Sequence, residues 1–198
     1  YDALIIATGS RPRGLPIDGA DLEHVYALRG LADVERIRPQ MVAGRSILIV
    51  GAGYIGLEAA AVAQQMGLKT TVLEMAPRVL ARVTSPVMSE FYETEHRRQG
   101  VDIRTETSLS KLEGKGGAVT AAQLSDGTKL GADIVLVGIG ILPNEELAKD
   151  AGIACNNGIL VDRDARTSDP RIFAAGDCAS RPLVHFGRAG RLESVHNA

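Results

Sequence analysis

The chain has 198 residues, 45% of them hydrophobic and 23% charged, with a net charge of -2, a globular composition with enough residues for one good-sized core or two modest ones. So near-neutral a chain, without a stripe of Lys and Arg, is a poor match to nucleic acid, whose backbone demands clustered cations; the one basic cluster, Arg97 and Arg98, reads as a solvated helix face. Two cysteines, Cys155 and Cys178, make neither a disulfide framework nor a metal-ligand cluster, and the longest apolar run, residues 134–142, falls short of the roughly 20 residues of a membrane helix. No metal, membrane or nucleic-acid partner is expected, and a reducing cytoplasm is the default compartment.

The chain opens on Tyr1 and a buried-type strand, ALIIA at residues 3–7, with no leader ahead of it. It therefore reads as starting inside a fold, as a fragment would. Residues 8–20, rich in Gly and Pro, read as loop. Leu28, Leu31, Val34 and Ile37 then recur at close to helical spacing, predicting a helix over residues 28–41. After Gly44 comes ILIV, a continuous apolar strand, followed by a helix over residues 54–66 that Gly67 ends and a second strand over residues 70–74. Ile55, Ala59, Val62, Ala63 and Met66 are the residues expected to face the sheet. A further amphipathic helix is predicted over residues 86–99, with Pro86 in its first turn and Gly100 as its stop. Short strands follow at residues 101–105, 108–113, 118–124 and 133–140, separated by the turn signals Gly116-Gly117 and Asp126-Gly127. Two more are predicted at residues 159–161 and 172–174.

The strand–turn–helix over residues 47–66 contains Gly51-Ala52-Gly53-Tyr54-Ile55-Gly56, a GxGxxG pattern in the one context that gives it meaning. Gly51 serves the tight turn, Gly53 lets backbone approach a pyrophosphate, and Gly56 allows close helix-to-strand packing. The helix start offers free N–H groups and a positive dipole end to phosphates. Glu74 closes the second strand, where a carboxylate accepts from a ribose 2'-hydroxyl; it favours NAD over NADP, since a 2'-phosphate would meet like charge. Arg78 and Arg82 lie nearby in sequence, and either could turn towards a phosphate.

What flanks this unit is YDALIIATGSRPR upstream and GILVDRDARTSDPRIFAAGDCAS downstream. With GAGYIGLEAA between them, these stretches resemble the flavoprotein reductases that bind two dinucleotides, in which an NAD domain is inserted into an FAD domain. Residues 81–105, 138–153, 165–179 and 191–198 bring the likeness closer to the bacterial NADH-dependent ferredoxin reductases that serve cytochrome P450 and ring-hydroxylating oxygenases. The resemblance spans essentially the whole chain, with departures at Gly30, Ala189 and His196. It implies an α/β fold: a Rossmann-like NAD-binding domain inserted in a partial FAD-binding domain. Residues 1–18 would end the first FAD segment, residues 19–44 form a crossover linker and helix, residues 45–142 the NAD-binding domain, and residues 143–198 the incomplete return to the FAD domain.

By the same resemblance Asp177 would bind the flavin ribitol or its adjoining phosphate, and Ala7, Thr8 and Gly9 would lie along FAD. Arg29 would reach that cofactor, and Glu193, Ser194 and Val195 would line the flavin. Gly138, Ile139 and Gly140 would pass beside the nicotinamide, with Glu58 near it. The implied activity is hydride transfer from NADH to FAD, then single electrons to a ferredoxin-type iron-sulfur protein. The four histidines have no obvious nucleophile partner, and no acid-base triad is required. Other readings stay open: an NADH oxidase, a disulfide reductase or the reductase portion of a nitrite reductase, or a non-catalytic NADH-sensing module.

Overall fold

Residues 47–50, ILIV, are apolar at consecutive positions because both faces of this strand are covered. In the computed structural model, which describes residues 2–193, the elements run β1 (Leu4–Ile6), β2 (Ser10–Pro12), β3 (Val25–Ala27), α1 (Leu31–Ile37), β4 (Ser46–Val50), α2 (Tyr54–Gln65), β5 (Lys69–Leu73), α3 (Pro86–Arg98) and β6 (Asp102–Arg104). They continue with β7 (Leu109–Lys115), β8 (Ala118–Leu124), β9 (Lys129–Gly131), β10 (Ile134–Val137), β11 (Ile141–Pro143), α4 (Glu146–Asp150), β12 (Ile159–Leu160), β13 (Ile172–Ala174), β14 (Ala179–Leu183) and β15 (Arg188–Gly190). The chain divides into two compact units, residues 12–140 and residues 1–11 with 141–198.

The larger unit is built on a five-stranded sheet in the order β3-β10-β4-β5-β6, every pairing parallel. Side chains alternate between its two faces. Ile47, Ile49, Val72, Ile134 and Leu136 pack with Leu57, Ala60 and Ala63 of α2. Leu48, Val50, Leu73, Val135 and Val137 pack instead with Leu112, Val119, Ala122 and Leu124 of β7 and β8. The antiparallel sheet β7-β8-β9 thus covers one face and helices the other. Two-sided burial accounts for uninterrupted apolar strands, each fully buried Ile or Leu contributing roughly 1.5–3 kcal/mol.

Chain order reverses at β4: the path steps outward to β5 and β6, then returns through β10 on the other side. Ligands in open α/β sheets bind at the carboxyl ends of strands at such a switch. The segment read from sequence as crossover supplies the edge strand β3, paired with β10 through Val25, Tyr26 and Ala27.

Helix α2 corrects one expectation. Its buried stripe is Gly56, Leu57, Ala60 and Ala63, whereas Ile55, Val62 and Met66 are 47%, 51% and 40% exposed. Small residues face the strand because helix and sheet are closest there; choosing the face by side-chain size puts the phase out. The helix stops at Gly67, whose φ of +80° suits a residue without Cβ. Helix α1 is shorter than expected, since Pro39 diverts the chain into a 3-10 turn over Arg38–Gln40. Residues 8–20 are not all loop, because β2 forms within them and pairs with β11.

The smaller unit pairs β1 in parallel with β13 and carries the sheet β12-β14-β15. Its core gathers Ile6, Ala148, Ile153, Ile159, Val161, Ala174, Cys178 and Ala179. Cys178 is wholly buried, its thiol directed at the carbonyls of Ala175 and Ile6, so it packs. Among the described residues no helix is long and apolar enough to cross a membrane.

Candidate functional site

In the larger unit the carboxyl ends of β4 and β10 meet. The Gly138 N–H donates to Val50 O at 2.8 Å and the Gly51 N–H to Leu73 O at 2.8 Å. Gly51 has φ +105°, and a Cβ on it would stand 2.5 Å from Gly138 O, so only glycine turns the chain here. Gly56 is pressed against the Gly51 carbonyl, which a Cβ would strike. Gly53 is the opposite case, with nothing within 4 Å of the place its Cβ would occupy. Gly51 and Gly56 are fixed by packing, Gly53 by nothing among the described residues. That contrast is what a ligand-approach position predicts.

Beyond Gly53, the first backbone bond of α2 runs from the Leu57 N–H to Gly53 O at 3.0 Å. The amides of Tyr54, Ile55 and Gly56 precede it and are unused within the helix. They present donors and the positive end of a 12-residue helix.

These groups border a cavity of about 850 Å³, within the roughly 300–1,000 Å³ span of small-molecule sites. Gly51, Gly53, Tyr54, Glu74, Arg82, Gly138 and Ile139, all expected from sequence, line it. Ile55, Gly56, Glu58 and Gly140 are not in its wall; Glu58, the fifth residue of α2, is exposed. Sequence reasoning missed Arg13, Leu15, Pro16 and Ile17 on one side and Thr107, Ser108 and Leu109 on another. Nothing in the loop-like run PRGLPI announces a cavity wall. The segment is placed by the bond from the Arg13 N–H to Gly140 O at 2.9 Å.

Glu74 has two tasks. Its Oε2 accepts from the Ala52 N–H at 2.8 Å and its Oε1 from the Ala76 N–H at 2.9 Å. The carboxylate therefore holds the glycine loop as well as facing the cavity, and each oxygen keeps a lone pair for a ribose hydroxyl. Arg78 is not available to a phosphate: its guanidinium donates to Ser89 Oγ at 2.6 Å and to the carbonyls of Thr84 and Ala81.

The smaller unit gathers most of the residues expected around a flavin. Thr8 Oγ1 donates to Asn144 O, the Asn144 side chain returns a bond to Thr8 O at 2.9 Å, and the Asn144 N–H bonds Gly9 O at 2.9 Å. Ser10 Oγ donates to Asp177 Oδ2 at 2.7 Å. Arg191 reaches Asp177 O at 3.2 Å and Glu193 at 3.0 Å. The Arg191 side chain is 9% exposed, and its Nε is buried without a partner among the described residues. A buried guanidinium with an unused donor fits a flavin phosphate or carbonyl. Arg29 stands in the larger unit ahead of α1, its N–H bonded to Asp33. Ser194 and Val195 lie outside the described residues.

The sheet order, the switch at β4 and this loop–helix–acid arrangement define a Rossmann-type dinucleotide-binding protein. The family profile of the pyridine nucleotide-disulphide oxidoreductases matches residues 1–198, and the chain belongs to that family. Its members use FAD and NAD(H). Putidaredoxin reductase of Pseudomonas putida is 46% identical over 203 residues, covering 100% of this chain and 48% of that protein. Rubredoxin-NAD(+) reductase of Pseudomonas putida is 40% identical over 198 residues, covering 100% of this chain and 51% of that one. The crystal structure of the ferredoxin reductase for the CYP199A2 system from Rhodopseudomonas palustris matches with a TM-score of 0.96 at 42% identity, covering 100% of this chain and 49% of that one. The likeness to ferredoxin reductases carried by the sequence motifs is borne out, and the chain spans about half the length of these relatives.

Proposed function

We propose that this chain carries the NADH-binding machinery, and part of the FAD-binding machinery, of a reductase that passes electrons from NADH through FAD to a ferredoxin-type iron-sulfur protein. That protein would in turn serve a P450 or a ring-hydroxylating oxygenase. The observation that carries the reading is the glycine loop with Gly53 open to the cavity and the Glu74 carboxylate beside it in the same wall.

Gly53 and the amides of Tyr54 and Ile55 would receive the pyrophosphate, and Glu74 the adenosine ribose. Gly138 and Ile139, at the end of β10, would pass beside the nicotinamide. Ala7, Thr8, Gly9 and Asp177 would hold FAD, with Arg191 and Glu193 beside it; Ser194, Val195, Arg29 and Glu58 complete the proposed set. Bound FAD supplies the exchange between a two-electron hydride donor and a one-electron acceptor. The protein's part is to bind, orient and exclude water, so no side-chain nucleophile is needed. The cytoplasm, where NADH is at hand, is the proposed location, in keeping with the free thiols of Cys155 and Cys178.

The test is stopped-flow spectroscopy of the full-length protein without oxygen. NADH should bleach the flavin, and added [2Fe–2S] ferredoxin should then be reduced in single-electron steps. The rubredoxin reductase relative supports a second acceptor, so rubredoxin is assayed alongside. Faster turnover with rubredoxin would move the partner to that class. Flavin bleaching without reduction of either would favour an oxidase or a sensing module.

A further inference from the structure

The cavity has three charged residues in its wall, Glu74, Arg82 and Arg13. Glu74 is already engaged by two backbone amides. The two arginines are exposed, and among the described residues neither side chain has a hydrogen-bond or ion-pair partner. Gly140 lies beside both residues: the Arg13 backbone N–H donates to Gly140 O at 2.9 Å, and Arg82 Nη2 lies 3.8 Å from where a Gly140 Cβ would stand. Gly140 has φ +101°, so this backbone bend, open only to a residue without a side chain, brings an arginine backbone and an arginine head group to one place.

Two exposed guanidiniums without a partner among the described residues, on the wall of one largely apolar cavity, are available to an anion there. The dinucleotide pyrophosphate carries two negative charges, whereas the start of α2 offers only about half a unit of positive charge. Guanidinium is the group suited to the remainder, since it binds phosphate oxygens in a planar fork.

We propose that Arg13 is a phosphate-binding residue of this cavity, acting together with Arg82 on the same wall. The inference rests on the dinucleotide reading of the site and extends it to a residue far upstream of the glycine loop.

The test compares NADH and NADPH affinities of the full-length protein with those of its Arg13→Gln and Arg13→Lys variants, at several salt concentrations. Arg13→Gln should raise the KM for NADH about tenfold, since a charge-assisted bond is lost, leave kcat nearly unchanged and flatten the salt dependence. Arg13→Lys should restore part of the loss. Equal weakening of both nucleotides identifies the pyrophosphate as the group bound. Weakening of NADPH alone identifies the 2'-phosphate, with the same recognition chemistry. Unchanged affinity and salt dependence for both would overturn the proposal. Gly53→Ala is the control: if it too leaves NADH binding intact, the dinucleotide reading itself has failed and not only the role of Arg13.

Discussion

At Glu74 a single carboxylate ties cofactor choice to loop geometry. Glu74→Gln should weaken NADH by roughly 10- to 100-fold, the loss expected when a hydrogen bond to a charged group worth about 1.5–3 kcal/mol is given up. It should also narrow the preference over NADPH, because the like charge goes as well. An unchanged ratio of the two affinities would refute the assignment. The amide nitrogen of Gln would face the N–H of Ala52 or Ala76, so the unliganded protein should also lose about 1–3 kcal/mol. Denaturation without nucleotide measures that share separately. Gly53 and Gly56 separate binding from folding in the same loop. Gly53→Ala has room for its methyl group and should keep its melting temperature while losing NADH affinity. Gly56→Ala drives a Cβ into the Gly51 carbonyl and should destabilise by about 1–3 kcal/mol. Equal melting temperatures for the two variants would contradict the packing described.

Among the elements, the short helix α4 depends on a carboxylate network. Glu145 precedes it and is 12% exposed at its side chain. Burial alone would raise its pKa, but the Lys149 ammonium at 2.6 Å and the Gly158 N–H at 2.6 Å outweigh that and hold it below the ordinary value. A carboxyl group whose pKa is lowered by folding stabilises the fold above its unfolded pKa and ceases to do so as pH falls through the folded value. The smaller unit should therefore weaken as pH drops below the usual carboxylate range, and Glu145→Gln should flatten that part of the profile. Urea denaturation at stepped pH checks this. Parallel curves for wild type and variant would show that the network does not contribute. Glu95, held at about 2 by Arg98 and Gln99, is the contrasting case. It lies on the solvent face of α3, where screening leaves such pairs little influence on stability, and Glu95→Gln should pass almost unnoticed in the same experiment.

On the scale of the whole molecule, two units with separate cores hold the proposed sites of two different nucleotides. A ligand that binds only the folded state stabilises by about 2.7 kcal/mol at a hundred times its Kd. NADH should protect the amides of β4, β5 and α2 from hydrogen exchange most strongly, and FAD those of β1, β13 and the turn at Asp177. Exchange mass spectrometry of the full-length protein with each nucleotide separates these effects. Protection by NADH concentrated instead in the smaller unit would reassign the sites.

The unbroken apolar strand, the glycine spacing and the acid at residue 74 determined by themselves that a strand–loop–helix–strand unit forms and that a dinucleotide fits it. They could do so because each depends on neighbours close in sequence: a tight turn, a helix start, a strand end. The face α2 buries was decided only by tertiary contact, since Gly56 and Ala60 win their places by allowing close approach and not by hydrophobicity. The same holds for the cavity's far wall. Arg13, Leu15 and Ile17 belong to it because the segment is hydrogen-bonded to Gly140, 127 positions beyond Arg13. A backbone bond between residues so far apart leaves no period or motif in the sequence, because it depends on where the sheet delivers two chain segments and not on which side chains they carry.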